Sequence, residues 1–251
     1  MPTPILLIHG HPFDHTLWAP QAGALREAGY PVITPDLRGY GREPAPVGEV
    51  TLLSEFAADL AAELDRQGFY EAVVGGVSMG GQIAMEFHRR YPDRVAGLVL
   101  ADTSPVGETP EGHAYRNALA DRLLAEGMVG YATESLDKMV LPRHTETEAG
   151  AHVRRMMLAT DPRGAAAALR GRAERPDYQE SLAEVRVPTL IVVGSGDVFT
   201  PVAEAELIEK LVPGSELVVI DGAGHLPGVE QPHAFNEALL RFLGSHFPVE
   251  A

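Results

Sequence analysis

Apolar residues in this chain gather in short, nearly unbroken runs rather than alternating with polar ones. Residues 4–9, 31–35, 71–77, 95–101, 187–193 and 216–220 form such runs. A run that is apolar at almost every position predicts a strand covered on both faces, as in a parallel sheet. Between the runs, 17–28, 51–67, 80–91, 201–212 and 231–245 have helical character. Strands and helices in alternation predict an α/β fold: a mostly parallel sheet of about six strands with helices on both faces.

The alternation breaks once. After the strand that ends near Ala101, no further strand pattern appears until 187, and helical patterns occupy 114–126, 128–139, 146–159 and 163–174. A crossover between parallel strands needs only about a dozen residues. The excess, 104–182, is expected to form a helical cap over one edge of the sheet, and 1–103 with 183–251 the core domain. Residues 105–180 hold twelve acidic and ten basic side chains, so nearly all of the formal net charge of −15 falls on the core. That charge argues against nucleic acid and anionic membranes as partners. No apolar run is long enough to span a bilayer, and no basic leader precedes one, so the expectation is a cytoplasmic protein. With no cysteine, disulfides, thiolate catalysis and cysteine-ligated metals are excluded.

The candidate chemistry lies at the ends of the predicted strands. Gly76-Val77-Ser78-Met79-Gly80 follows the apolar stretch 72–75 and precedes a helix. A serine between glycines at a strand-to-helix turn has the sequence of a nucleophile elbow. Two later strands end in Gly194-Ser195-Gly196-Asp197 and Asp221-Gly222-Ala223-Gly224-His225. A serine hydroxyl needs an imidazole to take its proton and a carboxylate to orient that imidazole. Ser78, His225 and Asp197 can supply those roles. Asp102 also ends a strand on the same edge and is the rival acid, while Asp221 is assigned to its own loop. Serine rather than a carboxylate at the elbow implies an acyl-enzyme, hence ester, thioester, lactone or amide cleavage. No His, Asp and Glu spacing suggests a metal site, and the chemistry calls for no cofactor.

These segments, together with His9-Gly10-His11-Pro12, Asp36-Leu37-Arg38-Gly39-Tyr40-Gly41, Thr200-Pro201 and Gly224-His225-Leu226-Pro227, resemble the α/β-hydrolase superfamily. Within it, they resemble the small esterase and 3-oxoadipate enol-lactonase-like members. The resemblance runs from residue 9 to 227 and implies that fold without its first two strands, since the first run already leads into His9-Gly10. It implies an oxyanion hole from the backbone N–H groups of His11 and Met79, with His9 propping the loop. Phe13, Trp18, Met128, Met139, Met157, Phe199 and Leu226 are candidates to line an apolar substrate pocket. Arg38 reads better as a loop-shaping residue than as a substrate-binding cation. His113, His144 and His152 fall in the cap, facing solvent or the pocket.

The leading reading is a serine hydrolase acting on a small-molecule carboxylic ester or lactone. Perhydrolase and C–C bond hydrolase are alternatives within the enzyme class. A receptor-like member that keeps the fold but turns over slowly or not at all is the alternative outside it.

Overall fold

The computed structural model describes residues 2–42 and 48–249. Six strands build one sheet: β1 (Ile5–Ile8), β2 (Val32–Ile33), β3 (Ala72–Val77), β4 (Val95–Ala101), β5 (Thr189–Gly194) and β6 (Glu216–Ile220). Their order is β2-β1-β3-β4-β5-β6, and every pairing is parallel. The expected sheet of six strands is therefore present, and all of it is parallel. Side chains alternate across it. Leu6, Ile8, Val74, Leu98, Leu100, Ile191 and Val193 pack into one core. Ile5, Leu7, Val73, Val77, Val99, Leu190 and Val192 pack into the other. The period of two divides each continuous apolar run between two buried faces.

Helices cover both faces. α1 (Ala19–Glu27) lies against the C-terminal helix, and α2 (Leu53–Arg66) lies against α3 (Met79–Arg90) on the other side. Four helices follow β4: α4 (Pro110–Glu126), α5 (Met128–Met139), α6 (Glu148–Ala159) and α7 (Pro162–Ala173). α4 packs on α7 around Leu119, Ala120, Leu123, Ala165, Ala166 and Leu169. The alanine face of α7 lets the two helices approach closely. After the short α8 (Gln179–Ala183) the chain returns to β5, then α9 (Val202–Leu211), β6, the one-turn α10 (Pro227–Glu230) and α11 (Pro232–His246).

Differences from the predicted bounds are local. β2 is only two residues because Pro31 and Pro35 flank it and cannot donate to a ladder. α4 starts four residues before 114: Pro110 takes its first position, and Thr109 Oγ1 accepts the N–H of Gly112 at 3.0 Å. α8 and α10 are too short for a sequence period. Among the described residues, no helix is long and apolar enough to cross a membrane.

The chain reverses direction between β1 and β3: β2 goes to one side of β1, and β3 returns on the other. Loops leaving such a switch point diverge and open a crevice at the carboxyl edge. The register pairs Ile8 with Gly76, Val77 with Ala101, Ala101 with Val192 and Gly194 with Ile220. The strands thus end nearly level, and the loops carrying His9–His11, Ser78, Asp102, Asp197 and His225 gather on one edge.

Candidate active site

Ser78 stands in the turn between β3 and α3 with φ 57° and ψ −117°. That left-handed φ is strained for a residue with a side chain. Neighbouring glycines make the turn sterically possible. A Cβ on Gly76 would lie 2.2 Å from the Gly80 carbonyl carbon, and one on Gly80 would lie 2.1 Å from Ile8 O. The turn is pinned by the Ser78 N–H to Ala101 O at 3.0 Å and by Thr103 Oγ1 donating to Ser78 O at 2.8 Å. The Met79 N–H, at the first position of α3, lies outside the helix's own ladder and is free to meet an anion.

His225 Nδ1 meets Asp197 Oδ2 at 2.8 Å, and both residues are buried. Asp197 also accepts from Thr200 Oγ1 at 2.6 Å, the Phe199 N–H at 2.8 Å and the Thr200 N–H at 3.2 Å. Burial by itself would raise this carboxyl. The His225 charge and these hydrogen bonds outweigh it, holding Asp197 below the usual carboxylate range and ionised. Phe199 packs edge-on to the His225 ring, 5.0 Å between centroids.

Asp102 lies behind Asp197, not on His225. Its Oδ1 accepts the Gly194 N–H at 2.9 Å, while its buried Oδ2 has no donor. Burial, then the adjacent Asp197 charge, push the Asp102 carboxyl well above the usual range. Both effects favour the protonated form of Asp102 beside the ionised Asp197. Asp102, Asp197 and His225 place three ligand-type atoms within 4.8 Å of one another, as do Asp14, His15 and Asp36. In the first group, Gly194 and the Asp197–His225 bond engage the ligand atoms. In the second, Asp36 is held by the His15 N–H, the His15 ring and Arg42. Hydrogen bonds hold the second cluster, and in the first they leave Asp102 Oδ2 without a partner.

The β1 loop lies against the elbow: a Cβ on Gly10 would sit 3.3 Å from Ser78 Cβ. His9 is fully buried, with Nδ1 on Gly10 O at 2.9 Å and Nε2 accepting the Leu37 N–H at 3.0 Å. Burial pushes its pKa down, so a neutral imidazole braces the loop. His11 Nδ1 meets Tyr40 Oη at 2.8 Å, and its buried Nε2 has no partner. Burial, then the charges of Arg172 and Arg116, push His11 well below its ordinary value. Burial also raises the Tyr40 phenol, which keeps its proton.

Ser78, His225 and His11 line one cleft of about 260 Å³. Of the expected pocket residues, Met139 and Phe199 line it. Phe13, Trp18, Met157 and Leu226 instead pack in the core beneath the sheet, and Met128 packs between α4 and α7. They point inward because each has an apolar core to fill, and that burial outweighs exposure to a wet cleft. The cleft wall is also less apolar than expected. It contains Gln82, Tyr115, Arg116, Tyr131, Arg172, Arg175 and Glu204, all missed in the sequence. The only signal was a cluster of arginines near the end of one helix, which reads equally well as a solvated face. A larger depression of about 650 Å³ flanks β2, but its lining holds the ion pairs of Arg38 and Arg42 and includes neither Ser78 nor His225. There Arg38 bridges its loop to Asp59 of α2.

Glu230 was also missed. It accepts the N–H groups of Gly224 and Leu141 and meets His144 Nδ1, each at 2.8 Å. One carboxylate therefore ties the His225 loop to the segment joining α5 and α6. His113 pairs with Glu174, and His152 donates to Thr16 O at 3.1 Å; neither lines the cleft.

The profile of the alpha/beta hydrolase family matches residues 5–238 of the chain. The chain is 29% identical over 234 residues to 3-oxoadipate enol-lactonase 1 of Acinetobacter baylyi, covering 92% of this chain and 85% of that one. It is 30% identical to the pimeloyl-[acyl-carrier protein] methyl ester esterase of Aromatoleum aromaticum, covering 91% and 93%. Among solved structures, a thermophilic esterase from Thermogutta terrifontis with malate bound superposes with a TM-score of 0.94 at 38% identity, covering 98% and 90%. The enol-lactonase of Burkholderia xenovorans gives 0.86 at 25%, covering 96% and 91%.

Proposed function

The chain belongs to the alpha/beta hydrolase family, and from that premise we propose that it cleaves a small carboxylic ester or lactone through an acyl-enzyme on Ser78. Its relatives named as esterases and enol-lactonases support the hydrolase reading. The observation that carries the mechanism is the buried Asp197–His225 bond opening on the same cleft as a strained, glycine-flanked serine.

In the proposed reaction, Ser78 Oγ attacks the carbonyl carbon while its proton passes to His225 Nε2. Asp197 keeps the Nδ1 proton in place and stabilises the imidazolium. The oxyanion is met by the N–H groups of Met79 and His11, fixed before the reaction begins. His225 returns the proton to the departing alkoxide. Water, deprotonated by the same imidazole, then releases the acid and regenerates Ser78. In a lactone the leaving group stays attached as the hydroxyl of the product.

Residues 104–182 serve as a cap over this edge, and 1–103 with 183–251 as the core that carries the triad. Gln82, Tyr115, Tyr131, Leu169 and Arg172 around the cleft support that division, since all but Gln82 come from α4–α7. The test is steady-state hydrolysis of p-nitrophenyl butyrate and of an enol-lactone by the wild type and Ser78→Ala. Sustained turnover lost in the variant is the expected result. One stoichiometric burst without turnover would mark a receptor-like protein and overturn the reading.

A further inference from the structure

We infer that the substrate carries a carboxylate remote from its scissile carbonyl, and that Arg172 binds this group. The inference rests on the hydrolase reading above. Three guanidiniums, Arg116, Arg172 and Arg175, line the cleft that holds Ser78. Two are already engaged: Arg116 and Arg175 both bond the Glu108 carboxylate. Arg172 differs. Its Nε donates to Gln82 Oε1 at 3.1 Å, and among the described residues no carboxylate pairs with it and no group accepts from Nη1 or Nη2.

A guanidinium keeps its charge inside proteins. Here burial first, then the Arg116 and Arg175 charges, press against it. Arg172 keeps part of its surface exposed, yet holding a cation largely away from water without a counter-charge is still costly, and an anion that enters removes that cost. His11 Nε2, buried and unpartnered in the same cleft, adds a second unused polar atom. Glu204 stands on the lining and Glu108, bonded to Arg116 and Arg175, lies outside it; set against the three guanidiniums, these two carboxylates leave one positive charge. That matches a singly charged carboxylate better than a dianionic phosphate, and the planar fork of Arg172 suits a carboxylate bidentately.

The span follows from α3. Gln82, which anchors Arg172, lies one helical turn beyond Ser78, and its N–H bonds Ser78 O at 3.1 Å. One turn rises about 5.4 Å. Half-esters running from succinate to adipate cover that range of separations.

The experiment compares kcat/KM for the monomethyl and dimethyl esters of succinate, glutarate and adipate, followed by pH-stat. In the wild type the best half-ester should exceed its diester by about 30-fold, the effect of one charge-assisted pair in a desolvated site. That ratio should fall towards one in Arg172→Gln, be partly kept in Arg172→Lys, and be unchanged in Arg154→Gln, which removes the same charge from an exposed position on α6. Wild-type turnover of diesters with no preference for any half-ester overturns the inference while leaving the hydrolase reading intact, as does a ratio retained in Arg172→Gln. If neither ester turns over, calorimetric binding of monomethyl glutarate to Ser78→Ala decides. Binding lost on adding Arg172→Gln supports the anion site and faults the hydrolase reading; no binding overturns the inference. Circular dichroism checks folding, and Arg172→Lys keeps the test open if Arg172→Gln does not fold.

Discussion

Two walls meet at the cleft, and they are built in opposite ways. The sheet edge is tight and hydrogen-bonded almost to saturation. Asp197 accepts four hydrogen bonds, and the elbow fits only because Gly76 and Gly80 lack side chains. The wall from α4–α7 is made of long side chains at the ends of flexible stems, with Arg172 left without a carboxylate and Tyr115 64% exposed. The first arrangement suits chemistry, because geometry fixed before the reaction costs nothing at the barrier. The second suits discrimination, because long polar side chains can change without disturbing the fold. Substitutions at the edge should therefore act on kcat, and those on the helical wall on which ester is preferred.

The sharpest way to break this contrast is Ser78→Ala. Turnover should fall by several orders of magnitude with the circular dichroism spectrum unchanged, since triad members act as a unit. Retained hydrolysis would remove the edge from the chemistry. Next is Asp197→Asn, for which kcat should drop by about 10³–10⁴, because an amide leaves His225 in the wrong tautomer. Asp102→Asn is the matched control. Asp102 accepts the Gly194 N–H and does not meet His225, and an amide oxygen can accept the same bond, so kcat should change by about threefold or less. If Asp102→Asn is the crippled variant, the assignment of the acid is wrong.

pH sharpens the same comparison. The reaction needs unprotonated His225, so kcat/KM should decline towards acid. A profile flat to about pH 4, where an imidazole is protonated, would rule out a histidine base. The smallest effect is on stability. Because the folded-state pKa of Asp102 is raised, its contribution is fully present below the unfolded value and is lost as pH rises towards the folded one. Asp102→Asn removes that loss. Its Tm relative to wild type should therefore increase between about pH 4 and pH 7, and a constant difference measured by thermal melts would contradict a protonated Asp102.

Much of this was legible from local sequence. Continuous apolar runs specify strands buried on both faces, and their ends carry Ser78, Asp197 and His225 because a parallel sheet exposes its carboxyl edge. Those signals are local: a tight turn needs glycine wherever it occurs, and a strand reads as apolar whatever packs on it. The lining of the cleft was not legible. Met157 and Arg172 both sit on helices between β4 and β5, and nothing in their spacing separates a core position from a cleft position. Which of the two faces the substrate depends on how α4 lies on α7 and how both rest on the sheet. Helix-on-helix orientation is set by side chains far apart in the chain. The sequence alone determined the sheet, the elbow and the order of its candidate catalytic groups. Only the tertiary structure decided that Asp197 rather than Asp102 meets His225, and that an arginine without a carboxylate partner lines the cleft of the serine, because both outcomes depend on contacts between segments that no local pattern connects.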